Sequence, residues 1–166
     1  MSDVPGIDPQ MLERLRRGVP LVLAPTGRFR FDGEDVTHGR VESALRDGLD
    51  VSEDGDFIVY LGDQWCYLTV QDCPLRVTAV WEKNEGLHIR LDDGRELPLP
   101  AKALREQPGS GLWIRVPAAR SGRLLPARFT NAASVELSAW IRLEGEDEAP
   151  VLQFGGDSVR VETGSP

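Results

Sequence analysis

Four arginines gathered in a stretch without acids are the side chains best placed to do chemistry. Between Glu106 and Glu136 the chain has no aspartate or glutamate, yet Arg115, Arg120, Arg123 and Arg128 all fall there. A guanidinium presents a planar fork of donors that matches a carboxylate or phosphate through two parallel hydrogen bonds. With Arg115 and Arg128 on one sheet face and Arg120 and Arg123 on the connecting loop, the four would clamp a small anion. The competing reading is that they neutralise acids of the earlier sequence or solvate a hairpin tip. A second candidate is Asp50-x-Ser52-x-Asp54-Gly55-Asp56, which sets oxygen atoms at alternate positions around a glycine, as loops for hard cations do. Its twelfth position is Leu61, which supplies no carboxylate, so the run reads as a solvated turn and no metal is expected.

Nothing in the sequence joins a nucleophile to a base. His38 stands at a predicted helix start, His88 in an alternating strand and Cys66 on a strand face, where cysteine is most often a small packing residue. No Gly-x-Ser-x-Gly elbow, His-Glu-x-x-His, Cys-x-x-Cys or phosphate-loop glycine pattern occurs. Catalysis is not expected, nor is a bound cofactor. Trp65, Trp81, Trp113 and Trp140 occupy predicted strand positions, either as a stacking platform or, more simply, as packing between two halves of the fold.

The formal net charge is -8, which repels phosphate backbones and argues against nucleic-acid binding. All but two of the 19 basic residues are arginine, a bias that a GC-rich genome also produces. No apolar run approaches the roughly 20 residues that span a bilayer, and no export leader is expected, because the apolar stretch Val19 to Ala24 is broken by Pro20. Cys66 and Cys73 are seven positions apart in extended chain, too distant to bridge. Cytoplasmic residence, with the thiols unpaired, is the expectation.

The elements that must carry these residues read as an α+β fold said twice. Asp32-Gly33 recurs as Asp93-Gly94, Ala44-Leu45-Arg46 as Ala103-Leu104-Arg105, and Thr78-Ala79-Val80 as Ser138-Ala139-Trp140, each about 60 residues later. Each unit predicts a β-hairpin, a helix and a β-meander, the two packed into one domain of mostly antiparallel sheet. Asp8-Pro9 predicts the start of a leading helix whose Met11, Leu12 and Leu15 face the core. In the first unit Val41, Ala44, Leu45 and Leu49 predict an amphipathic helix capped by Thr37. The second unit predicts a shorter helix near Ala101 to Gln107, an edge strand over Arg123 to Phe129 because of Pro126, and a central strand over Val135 to Leu143. A terminal hairpin is predicted around Gly155-Gly156, with a disordered tail from Thr163. The expected divisions are 1–25 for the helix and lead-in, 26–85 and 86–143 for the repeats, and 144–166 for an acidic break, hairpin and tail.

Three segments carry a resemblance: Arg28-Phe29-Arg30-Phe31-Asp32-Gly33-Glu34-Asp35-Val36-Thr37, Gly55-Asp56-Phe57-Ile58-Val59 and Val70-Gln71-Asp72-Cys73-Pro74-Leu75. They are similar to the bacterial DUF1285 proteins, and the likeness runs from about Gly27 to Trp140. The resemblance implies an α+β fold of repeated motifs, no assigned activity and at most a suggested role in bacterial signalling. Together with the residues it gives the working expectation of a non-catalytic binding or regulatory module, monomeric or homodimeric, that recognises a protein partner or a small anionic ligand. The alternative is an enzyme or metal-dependent sensor whose site assembles where the repeats meet.

Overall fold

The computed structural model describes residues 8–166, and the chain divides into two compact units. The first runs up to Pro74 and takes in Pro117–Leu125; the second comprises Leu75–Val116 and Pro126–Pro166.

In the first unit α1 (Pro9–Arg17) opens with proline in its first turn, where the missing N–H has no intrahelical partner to lose. Asp8 stands at the cap position, though its side chain makes no capping bond. Then come β1 (Leu21–Leu23), β2 (Phe29–Phe31), β3 (Glu34–Asp35), α2 (Gly39–Asp47), β4 (Leu49–Val51), β5 (Phe57–Leu61), β6 (Gln64–Tyr67) and β7 (Thr69–Val70). The Asp32-Gly33 turn takes φ values of 51° and 82°, the double left-handed conformation that a two-residue hairpin needs. His38 rather than Thr37 caps α2. A four-stranded sheet has the order β3-β2-β1-β7, with β1 and β7 parallel, and β4-β5-β6 form an antiparallel meander. Leu23, Phe29, Leu45, Leu49, Ile58, Val59 and Leu68 are among its buried apolar side chains. Gly48, which ends α2, lies so close to β5 that a Cβ there would come within 2.0 Å of the Tyr60 carbonyl oxygen, so only glycine lets the helix turn directly into β4. The Tyr60 N–H donates to the Gly48 carbonyl at 2.8 Å across the same contact.

The second unit begins with the long strand β8 (Leu75–Lys83), followed by β9 (Gly86–Leu91), β10 (Glu96–Pro98), a 3-10 turn at Ala101–Ala103, β11 (Arg105–Gln107), β12 (Gly111–Pro117) and β13 (Leu124–Phe129). After these come α3 (Asn131–Ser138), β14 (Ile141–Glu144), β15 (Ala149–Phe154), β16 (Asp157–Arg160) and β17 (Glu162–Thr163). Seven strands form one sheet in the order β10-β9-β8-β13-β12-β11-β17, and β14-β15-β16 form a second.

Four expectations are corrected here. Ala101 to Gln107 is a 3-10 turn and a strand rather than a helix. The alternating run Val135 to Leu143 is not one strand: α3 ends at Ser138 and β14 starts at Ile141. Thr130 Oγ1 accepts the Ala133 N–H at 3.2 Å and starts that helix, whose buried positions are Ala133 and Leu137, four apart, while Val135 is 71% exposed. Arg123 to Phe129 is interior to its sheet, because the parallel ladder to β8 begins at Ala127, just after Pro126. The tail is not loose at its start, since β17 pairs with β11 and the buried Trp113 donates its indole N–H to the Gly164 carbonyl at 2.9 Å.

Of the three landmarks of the sixty-residue echo, Asp32-Gly33 and Asp93-Gly94 both lie in the turns of antiparallel hairpins, and the other two pairs occupy unlike elements. Ala44-Leu45-Arg46 lies in α2 and Ala103-Leu104-Arg105 spans the 3-10 turn and β11; Thr78-Ala79-Val80 lies in β8 and Ser138-Ala139-Trp140 at the end of α3. Pairing order is where the two runs correspond. The strand that opens each run takes a late strand of the same run as its parallel neighbour, β7 beside β1 and β13 beside β8.

Candidate functional site

On α1, Glu13, Arg16 and Arg17 fall at i, i+3 and i+4 and so share one helix face. That face, and not the apolar stripe, meets the sheet. The Arg16 guanidinium lies 4.0 Å from the Trp65 ring centroid and that of Arg17 4.0 Å from the Tyr67 ring. The Tyr67 hydroxyl donates to Glu13 Oε1 at 2.7 Å, and Arg17 Nε donates to the same oxygen at 2.9 Å. Met11 and Leu15 are left 58% and 55% exposed, which corrects the expectation that they face the core. Planar guanidiniums stack on aromatic faces while their edge N–H groups stay free to donate. Trp65 and Tyr67 therefore hold α1 through Arg16 and Arg17.

These contacts are modest ones. A cation–π pair contributes about 0.5–1 kcal/mol at exposed sites and about 2 kcal/mol when desolvated, and an exposed ion pair about 0–1 kcal/mol. α1 has nine residues and none is buried; an isolated helix needs roughly 12–15 residues to persist in water. Its helicity and its docking are therefore one event.

Between α1 and the β5–β6 ladder lies a cleft of about 420 Å³. Tyr60, Trp65, Tyr67 and Ile58 line it from the sheet, Ser52, Glu53 and Asp54 from the β4–β5 turn, Glu13, Arg16 and Arg17 from α1, and Arg123 from the Pro117–Leu125 loop. Tyr60 and Trp65 are directly paired across the ladder, and Trp65 and Tyr67 meet edge to face at 5.1 Å and 74°. Desolvation, then the bond to Glu13 and the charges of Glu13 and Asp56, push the Tyr67 hydroxyl above its ordinary pKa, against the opposing pull of Arg17.

The four arginines singled out in the sequence divide between the units. Arg120 stacks on Tyr60 at 3.9 Å and donates to the Gly62 carbonyl at 3.0 Å. Arg123 donates to the Val51 carbonyl and to Glu53, both at 3.2 Å. In the second unit Arg128 is buried and donates to Gln107 Oε1 at 2.8 Å, whereas Arg115 is exposed and lies 5.6 Å from the Trp113 ring. Sequence reasoning thus found Arg123 but missed Arg16 and Arg17. Their signal was the i, i+3, i+4 spacing with Glu13, which the neighbouring apolar residues masked.

Asp50 and Ser52 of the discounted cation loop already have their oxygens in use. Asp50 Oδ1 and Oδ2 accept from Ser121 Oγ at 2.6 Å and Ser121 N–H at 3.1 Å, Oδ1 also accepts from Val51 N–H at 2.7 Å, and Ser52 Oγ accepts from the Asp56 N–H at 3.0 Å. Among the described residues no group of three His, Cys, Asp or Glu side chains is placed to hold a metal ion. Burial pushes the Cys66 thiol above its ordinary pKa, which keeps it protonated and a poor nucleophile near neutral pH. Among the described residues, no helix is long and apolar enough to cross a membrane.

No protein-family model matches the sequence, and no curated protein matches it. Two solved structures are similar. A DUF1285 family protein from Silicibacter pomeroyi DSS-3 superposes with a TM-score of 0.65 at 16% identity, over 97% of this chain and 90% of its own. A DUF1285 family protein from Shewanella baltica OS155 gives a TM-score of 0.58 at 13% identity, over 74% of this chain and 92% of its own. The chain therefore has the α+β fold of DUF1285 family proteins.

Proposed function

We propose that the chain is a non-catalytic recognition module of the bacterial cytoplasm, acting in signalling by binding a segment of a protein partner in the cleft beneath α1. One observation carries this reading: a helix with no fully buried residue rests on a ring-lined cleft through a hydrogen bond and two cation–π contacts. Sites built for recognition combine rigid aromatic rings with a few oriented polar groups, and Tyr60, Trp65 and Tyr67 with their surrounding charges fit that description. Selection of a random displayed decapeptide library against the chain and its Trp65→Ala variant tests it. Enrichment on the parent that disappears on Trp65→Ala is expected, and enrichment indifferent to Trp65, or none, rejects the reading.

A second reading keeps a small anion at Arg115 of the second unit, without Arg120, Arg123 and Arg128, whose guanidiniums are engaged elsewhere. Arg115 favours it, since that guanidinium meets only the face of Trp113 and forms no ion pair among the described residues. Thermal shift with inorganic phosphate and citrate, compared between the parent chain and Arg115→Ala, separates the two readings.

A further inference from the structure

Three rings of the β5–β6 ladder each carry a guanidinium: Trp65 holds Arg16, Tyr67 holds Arg17 and Tyr60 holds Arg120. The ladder is an aromatic rack. Acids stand beside it: Asp56 lies 3.8 Å from Nη2 of the stacked Arg17, and Glu53, which pairs with Arg123 at 3.2 Å, and Asp54 line the same cleft. Rings under the flat faces and carboxylates at the edges are the two chemistries that select arginine over lysine, whose compact, strongly hydrated ammonium offers no face to stack.

We propose that this rack is a docking site for arginine-bearing peptide segments, and that α1 is its occupant in cis. The proposal rests on the recognition reading above and names the partner's chemistry: two neighbouring arginines on one short segment, spaced as Arg16 and Arg17 are. The cis occupant suits replacement. It has no fully buried residue, its Met11 and Leu15 are exposed, and its hydrogen bond and ring contacts to the ladder come from Glu13, Arg16 and Arg17. An incoming segment with the same pair reproduces those contacts, so α1 sets a threshold that a partner must exceed.

The test uses the whole chain and its Arg16→Ala/Arg17→Ala variant, in which the cis occupant has lost its grip. Both side chains lie outside the buried core, and an unchanged main thermal transition verifies the fold. Fluorescence anisotropy is read with three labelled decapeptides: one with the sequence of residues 9–18, one unrelated in sequence but holding an Arg-Arg pair, and the latter with Lys-Lys. Both arginine peptides should bind the variant at least 10-fold more tightly than the parent chain, the lysine peptide at least 5-fold more weakly than its arginine twin, and a further Trp65→Ala change should remove binding. Equal binding of the arginine and lysine peptides, or no saturable binding to the variant, overturns the proposal. If displayed peptides without arginine pairs are enriched in a Trp65-dependent way while these probes fail, the partner chemistry is wrong and the recognition reading stands.

Discussion

Asp50 shows what a single buried carboxylate contributes. It is 0% exposed and accepts the Val51 N–H and both donors of Ser121, so the Pro117–Leu125 loop is pinned to β4 through one side chain. Replacing it with alanine removes the acceptor from the buried Val51 N–H and from the exposed Ser121, at a cost of about 2 kcal/mol for bonds to a charged group. Asp50→Ala is therefore expected to lower unfolding stability by that amount in urea titration, and a loss below about 1 kcal/mol would show that water replaces the carboxylate. The sequence showed Asp50 as the first oxygen of an alternating run and gave no sign of Ser121, 71 positions away. Local spacing displays a loop's composition; the direction in which each oxygen points depends on contacts that spacing does not contain.

Among the elements, α1 buries no residue and carries a titratable latch. Tyr67 keeps its proton more firmly in the folded chain than in the unfolded one. Its contribution to docking is thus complete below about pH 10 and is lost as pH rises through the raised folded value, when the phenol can no longer donate to Glu13. Methyl NMR of Met11 and Leu12 should report α1 leaving the sheet over that alkaline window, and the transition should vanish in Tyr67→Phe; an identical transition in both chains would assign the change to another group. Element legibility followed the same division. Asp8-Pro9, Asp32-Gly33 and the Gly155-Gly156 hairpin were readable because turn and helix-start chemistry is local. The run Val135 to Leu143 was misread because residues two apart also fit a helix whose buried pair, Ala133 and Leu137, is four apart, and Thr130, the cap that decides the matter, lies outside the alternation.

The molecule as a whole carries a net charge of -8 while placing its arginines on rings and carboxylates of its own. Anisotropy with labelled duplex DNA at physiological salt should show no saturation below about 100 µM, the weak end of non-specific association, and a tighter isotherm would reveal a basic surface strong enough to outweigh the total charge. The α+β class was legible from alternating and helical periods, but the division into units was not, because Pro117–Leu125 leaves its neighbours in sequence to join the first unit. One pairing has a consequence for the protein's birth. β8 takes β13 as its parallel partner, with Leu75 opposite Ala127, so a chain emerging from the ribosome at about 5–20 residues per second leaves that side of β8 open for roughly 3–10 s. Through that interval Leu75 and Val77 offer bare amides and carbonyls to any other nascent copy nearby. Crowded polysomes are therefore a setting in which β8 meets the matching strand of another copy before its own.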